Sequence, residues 1–233
     1  MLSISHSTTD NYTVYDEDQL RFAHPFAMLV AGIRGTGKTS FALKLLQRNR
    51  ELISSPPVDT IIWFYGAAQQ DVFNSVRAAT FDQHVEFVHG LPQNKTIQEL
   101  VSELPGQRKL IVLDDLMGKA SSREDVADLF THGRHADMSV LFLTQNFFHK
   151  SKYARDISLN VDYAVLMKNT RNAAVAQHLG QQMGNAKFLK LAYQAATVNE
   201  YSHLFIDMRS ATPDALRYRS NVLDEPQSVY LPL

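Results

Sequence analysis

Unbroken apolar runs alternate along this chain with stretches whose apolar positions recur every three or four residues. The runs FAMLVAG (26–32), TIIWFYG (60–66), VEFVHGL (85–91), KLIVLDDL (109–116), SVLFLTQN (139–146), YAVLMKN (163–169) and HLFIDMR (203–209) predict buried strands, with LRYRSNVL (216–223) as a further late strand. The acidic run at 109–116 shows no polar alternation, so both of its faces should be covered. The first run leads into a helix with Ala42, Leu45 and Leu46 on one face. Thr96 and Glu99 form a capping box ahead of Ile97, Leu100, Val101 and Leu104. Ser121 and Glu124 are spaced to cap a helix whose face is Val126, Leu129 and Phe130, with Gly133 as its stop. Further helical patterns cover Val175–Met183 and Phe188–Ala195. Strands and helices in alternation predict an α/β fold, a mostly parallel sheet with helices on both faces. No Gly/Pro/Ser-rich linker divides the pattern. The expectation is one domain over 22–223, between a polar N-terminal tail (1–21) and a C-terminal tail (224–233).

Composition narrows the function. With 45% apolar and 20% charged residues the 233-residue chain reads as globular. Its formal net charge of −1 gives no global positive field, so any nucleic-acid contact must come from a local patch or an assembly. The absence of cysteine excludes disulfides and thiolate metal sites and fits a reducing compartment. No apolar run approaches the roughly 18 residues of a membrane span. The start, MLSISHSTTDNY, lacks the pattern of a signal peptide. The reading is a soluble protein.

The chemistry begins at Gly32-Ile33-Arg34-Gly35-Thr36-Gly37-Lys38-Thr39, followed by Ser40, which fits G-x-x-x-x-G-K-[ST] between a strand and a helix. The glycines let backbone N–H groups turn inward toward a β-phosphate, and the helix that starts there adds its positive end. In this motif Lys38 reaches the β- and γ-phosphates and the Thr39 hydroxyl ligates Mg²⁺. Arg34 reads as a solvated loop residue. A phosphate loop needs a carboxylate near the metal, and LIVLDD places Asp114 and Asp115 at the C-terminal end of a buried strand, where open α/β sheets bind ligands. Asp114 is assigned to the metal and Asp115 to orienting and deprotonating the attacking water; the alternative for Asp115 is a loop cap. Gln145, at the end of the next strand, is placed to bridge the γ-phosphate or its water to Asp115, with turn chemistry as the alternative. A strand between the phosphate-loop strand and the acidic strand points to an ATP-hydrolysing motor core. A guanine-reading N-K-x-D, a transporter-type signature and an arginine-rich kinase lid are all missing.

At these residues the chain resembles a known family. LDDLM, LFTHGRHADMSVLFLTQNFFHKSKYARDISLNVDYAVLMKNTRN and HLFIDMR are similar to segments of viral genome-packaging ATPases of the FtsK–HerA superfamily, of the poxvirus and Polinton/Maverick types, from about Phe22 to about Arg219. The resemblance implies a RecA-like P-loop NTPase core, hydrolysis of ATP with Mg²⁺, a homo-oligomeric ring, and pumping of double-stranded DNA into a capsid through a capsid or vertex protein, in the virion or infected host cell. Cellular members carry Asp-Glu where this chain has Asp114-Asp115. The resemblance also implies an arginine finger from a neighbouring subunit. Arg134 has the spacing before Thr-Gln found in cellular relatives, and Arg155 is the competitor.

For DNA contact, NFFHKSKYAR (146–155) interleaves Phe147, Phe148 and Tyr153 with His149, Lys150, Lys152 and Arg155. The opposing reading puts those aromatics in the core and the lysines in water. Lys119–Arg123 is a second candidate. His132 and His135 read as helix-end residues and Trp63 and Phe64 as sheet core. Two other functions share the same core: a nucleotide-gated capsid-assembly factor, and a cellular-type DNA-processing ATPase.

Overall fold

The structure is a computed structural model, and it describes residues 2–5, 12–15, 17–54, 56–80, 82–116, 120–148 and 150–232, with side chains from Gln19 onward. Two short strands, β1 (Leu2–Ser5) and β2 (Tyr12–Tyr15), pair as an antiparallel hairpin within the segment expected to be a polar tail. The main sheet contains β3 (Ala27–Ala31), β4 (Thr60–Tyr65), β5 (His84–His89), β6 (Lys109–Asp114), β7 (Met138–Thr144), β8 (Tyr163–Met167), β9 (His203–Asp207), β10 (Tyr218–Ser220) and β11 (Ser228–Val229). Their order is β5-β4-β6-β7-β3-β8-β9-β10-β11. Pairing is parallel from β5 through to β8 and antiparallel from β8 to β11.

The apolar runs form strands because each side of the sheet needs them. Alternate residues feed two cores. Leu29, Ala31, Ile111, Leu113, Val140 and Phe142 face one. Met28, Val30, Leu110, Val112, Leu141 and Leu143 face the other. The second core is closed by α1 (Lys38–Gln47), whose Phe41, Ala42, Leu45 and Leu46 are buried, together with α2 (Asn49–Leu52) and α3 (Gln70–Ala79). The first is closed by α4 (Ile97–Ser102), α5 (Glu124–Thr131), α6 (Ala154–Leu159), α7 (Asn172–Gln182) and α8 (Ala186–Ala196). Trp63 and Phe64 are both buried in the sheet, as expected.

The Thr96–Glu99 capping box is present at α4. The cap expected at Ser121 is not. The N-cap of α5 is Arg123, without a side-chain cap, because its guanidinium holds Asp125 at 2.8 and 2.7 Å and the Pro92 carbonyl at 2.5 Å. Asp125 in turn accepts the Ile97 N–H at 3.0 Å, so the starts of α4 and α5 are tied together.

The topology puts the candidate chemistry at one level. β7 lies between β3 and β6, with Ala31 opposite Thr144 and Asp114 opposite Leu143. The phosphate loop, the acidic pair and Gln145 therefore leave three adjacent parallel strands at the same C-terminal edge. Within a sheet, neighbouring strands lie only about 4.8 Å apart.

Candidate active site

A cavity of about 750 Å³ opens at that edge, lined among others by Lys38, Thr39, Ser40, Asp114, Asp115 and Gln145. Each arrives on a different piece of local structure. Gly37 is the N-cap of α1 with φ +93, a left-handed backbone that favours glycine, and it lets the chain turn from loop to helix in one residue. Gly35 has φ +81 and lines the cavity beside it. Gly32 is buried at the base of the loop and donates its N–H to the Thr144 carbonyl at 3.0 Å, tying the loop to β7. Thr36 turns its hydroxyl onto the Ile33 carbonyl at 2.8 Å, inside the loop. Lys38 Nζ donates to the same carbonyl at 3.0 Å. The ammonium is thus held across the loop by one weak neutral acceptor, which a phosphate oxygen can replace.

Asp114 is the last residue of β6 and only 7% exposed. Burial, and secondly the neighbouring Asp115, push its carboxyl up to about 6 against the pull of Lys38. The Trp63 indole N–H makes no hydrogen bond of ordinary geometry, yet it faces the carboxyl and favours its ionised form. Lys38 is held below the usual lysine range by burial, with Asp114 and Asp115 opposing. Cation and acidic pair therefore share one electrostatic site. Asp115 is exposed and has φ +54, a conformation that aspartate tolerates. Its backbone packs against Gly66, where any β-carbon would collide with the Asp115 carbonyl. Gly66 also donates to the Asp114 carbonyl at 3.0 Å. The acidic pair is thus positioned by backbone on the β4 side.

The donor set suits a hard cation. A hydroxyl at Thr39 and a carboxylate at Asp114 are oxygen ligands of the Mg²⁺ kind, and a carboxyl this costly to ionise gains from a cation. Among the described residues no group of three or more His, Cys, Asp or Glu side chains could hold a metal unaided. A cation here would depend on phosphate oxygens and water for its remaining ligands.

Other predicted residues lie elsewhere. Arg134 is in the 3-10 turn Gly133–Ala136 that leads into β7, at the opposite end of that strand from Gln145. Seven residues of strand put it about 20 Å from its own cavity. There it pairs with Asp162, itself buried and accepting the Ala27 N–H at 2.8 Å. Arg155 is exposed on α6. The aromatic residues of the 146–155 segment are not offered to a ligand. Phe147 is buried, Phe148 packs edge-on to Phe147 and His178, and the Tyr153 hydroxyl donates to Glu124 at 3.2 Å. Lys150, Lys152 and Arg155 remain exposed, so only the basic half of that expectation has surface to act with. His149 and Lys119 lie outside the described residues, and Arg123 is engaged by Asp125.

The cavity also has walls that sequence reasoning missed. Arg34, expected to be only solvated, lines it, as do Ala67, Gln69 and Tyr201. Ala67 and Gln69 stand between β4 and α3, and a loop at the C-terminal end of a strand next to the acidic one was the available signal. Tyr201 had none, since its turn is remote in sequence.

Comparison with known proteins gives the family. A family profile described as "Poxvirus A32 protein" matches residues 13–207. No curated protein matches the chain. Among solved structures, the genome-packaging NTPase B204 from Sulfolobus turreted icosahedral virus 2, in complex with ATPγS, is 11% identical over 94% of this chain and 100% of that one, with a TM-score of 0.49. The N-terminal domain of zonular occludens toxin from Neisseria meningitidis is 10% identical over 64% of this chain and 79% of that one, with a TM-score of 0.40. EccC from Thermomonospora curvata (ATPases 2 and 3) is 13% identical over 96% of this chain and 39% of that one, with a TM-score of 0.44. With the profile running from the N-terminal hairpin to the end of β9, the chain belongs to the poxvirus A32 family and is an ATPase of viral genome packaging.

Proposed function

We propose that this chain is the motor subunit of a ring that drives double-stranded DNA into a capsid, hydrolysing Mg-ATP in the cavity at the C-terminal edge of β3, β6 and β7. The observation that carries the reading is the convergence of Lys38, Thr39, Asp114, Asp115 and Gln145 on that one cavity. Backbone N–H groups from Gly35 to Ser40 cradle the phosphates at the start of α1. Lys38 leaves the Ile33 carbonyl for the β- and γ-phosphates. Thr39 and Asp114 hold Mg²⁺, which when bound draws negative charge off the phosphate oxygens. Asp115 orients the attacking water and accepts its proton, and Gln145 connects that water to β7.

Arg134 lies too far from its own cavity to touch the γ-phosphate, so any role it has in hydrolysis is on a neighbour's nucleotide. A trans arginine is worth about 10³–10⁵ in rate. That dependence makes a ring of identical chains the working unit, with the domain at 22–223 as its repeating part. Lys150, Lys152 and Arg155 supply exposed positive charge on the segment after Gln145. Repeated around a ring, such residues give phosphate contacts that are independent of sequence and steeply salt-dependent. No helix among the described residues is long and apolar enough to cross a membrane. A capsid or vertex protein is the docking partner of this reading, in the virion or the infected cell.

The test is ATP turnover by assembled protein with and without duplex DNA at low salt. Duplex DNA is expected to stimulate turnover, and Lys38→Ala to abolish it. Turnover that survives Lys38→Ala defeats the site assignment. Turnover indifferent to DNA defeats the motor.

A further inference from the structure

The turn between α8 and β9 carries a residue in an unfavourable place. Among the described residues four non-glycine positions have positive φ: Asp115, Asp137, Asn221 and Tyr201. Aspartate and asparagine tolerate left-handed backbone, whereas a large aromatic side chain gains nothing from it locally. Tyr201 has φ +57 and is 65% exposed. It is held against the phosphate loop, since a β-carbon at Gly37 would come within 3.1 Å of Tyr201 Cδ1. It also lines the nucleotide cavity together with Ser40 and Arg34.

The surroundings point the same way. The exposed large apolar side chains among the described residues are Ile33, Leu159, Leu191, Val198 and Tyr201. Ile33 belongs to the phosphate loop, and Val198 to the same turn as Tyr201. Of these five, Tyr201 is the one that lines the cavity. The loop, the acidic pair and Gln145 in its lining suit phosphates and their metal. A nucleotide seated by its phosphates there still needs a flat apolar surface for its base. Strained backbone is kept where function needs a side chain in that position.

We infer that Tyr201 is the stacking platform for the purine base of the nucleotide, with Arg34 of the loop lining the same cavity. This rests on the reading of the cavity as the ATP site. A ring reads a base by its face, so the contribution is to affinity for the nucleoside part and not to the phosphates.

The experiment compares binding of a non-hydrolysable ATP analogue and of inorganic tripolyphosphate, both with Mg²⁺, to wild type, Tyr201→Phe and Tyr201→Asn by calorimetry. Asparagine accepts the left-handed backbone but has no ring. Tyr201→Asn is expected to weaken the ATP analogue about tenfold or more, leave tripolyphosphate unchanged, and keep or raise Tm. Tyr201→Phe is expected to bind both ligands as wild type does. Wild-type affinity for the analogue in Tyr201→Asn overturns the platform and leaves the ATP site standing. An equal loss of both ligands with a lower Tm overturns it too, since Tyr201 would then be a prop for Gly37. Failure of wild type to bind either ligand overturns the ATP site itself.

Discussion

Two buried titratable residues, Asp114 and His203, shift the acid response of this fold in opposite directions. Asp114 titrates at about 6 in the folded chain against an ordinary 3.8, chiefly through burial. Between those values the folded state holds a proton that the unfolded state has released, so stability falls as pH rises through the window. At neutral pH the ionised carboxyl therefore costs the ligand-free protein about 3 kcal/mol. His203 is the reverse case. It is buried with its ring edge-on to Phe41, its Nε2 has no partner, and desolvation holds it at about 4 against an ordinary 6.5. Between pH 4 and 6.5 the unfolded state binds the extra proton, so stability rises with pH, again by about 3 kcal/mol. In the wild type the two slopes oppose each other over most of the same range. Removing one exposes the other. Asp114→Asn is expected to raise ligand-free stability at pH 7 by about 1–3 kcal/mol while abolishing turnover. Its stability should then fall more steeply than wild type below pH 6, with His203 unopposed. Urea unfolding at pH 4.5, 5.5 and 7 reads both effects. A destabilised Asp114→Asn at pH 7 would refute the account of Asp114 as a strained, cation-seeking group.

At the scale of elements, the central strands were the most legible feature because each is an unbroken apolar run long enough to cover two cores, whereas β5, expected to be buried, is a half-buried edge strand and β11 lies within the segment expected to be a C-terminal tail. β3, β6, β7 and β8 fall within a residue or two of their expected bounds. The order of those strands was legible only where chemistry demanded it, as with β7 between β3 and β6. α3 was missed because Val72, Phe73 and Val76 are few among polar neighbours, and what they cover comes from elsewhere in the chain: Phe73 packs on Tyr65 of β4 and Phe87 of β5. The Ser121–Glu124 spacing matched a cap, but the Arg123–Asp125 clamp is a stronger local arrangement and took the position. The aromatic and basic residues of 146–155 read as one surface, since adjacency in sequence does not tell which side chains turn inward. The phosphate loop and acidic pair were legible because backbone geometry restricts them to few residue types, whereas the left-handed turn at Tyr201 has no such signature. The far edge of the sheet yields its own prediction. Asp162 is buried, accepts the Ala27 N–H, pairs with Arg134, and also faces Arg209 electrostatically. Asp162→Ala strands the buried Ala27 N–H and removes the partner of Arg134, while Arg209 keeps Asp207, and it is expected to cost about 1–3 kcal/mol. Arg134→Ala leaves Asp162 with both other partners, and the lost arm is half exposed, so a cost of at most about 1 kcal/mol is expected. Denaturant midpoints of the two variants check the ranking, and equal losses would mean that Arg209 does not compensate.

For the whole molecule, an Arg134→Ala subunit that stays folded as expected makes the residue's role in an assembly separable from its role in the fold. In the proposed mechanism Gln145 and Arg134, at opposite ends of β7, divide the labour along one strand, Gln145 serving its own nucleotide and Arg134 a neighbour's. A head-to-tail ring joins two different surfaces at every interface. In such a ring, subunits carrying Lys38→Ala have no competent site but offer an intact Arg134. Subunits carrying Arg134→Ala have a competent site and no arginine to give. Each homogeneous ring should be nearly inactive. In an equimolar mixture, roughly a quarter of the interfaces join an intact site to an intact arginine, so turnover should reappear at about that fraction of wild type or less. The amount of recovered activity, titrated against mixing ratio, should peak near equal proportions. If mixing restores nothing although both variants bind duplex DNA and co-assemble, Arg134 is not the trans residue. Repeating the mixture with Arg155→Ala in its place then decides between the two arginines, because only the residue that crosses the interface can be complemented in this way.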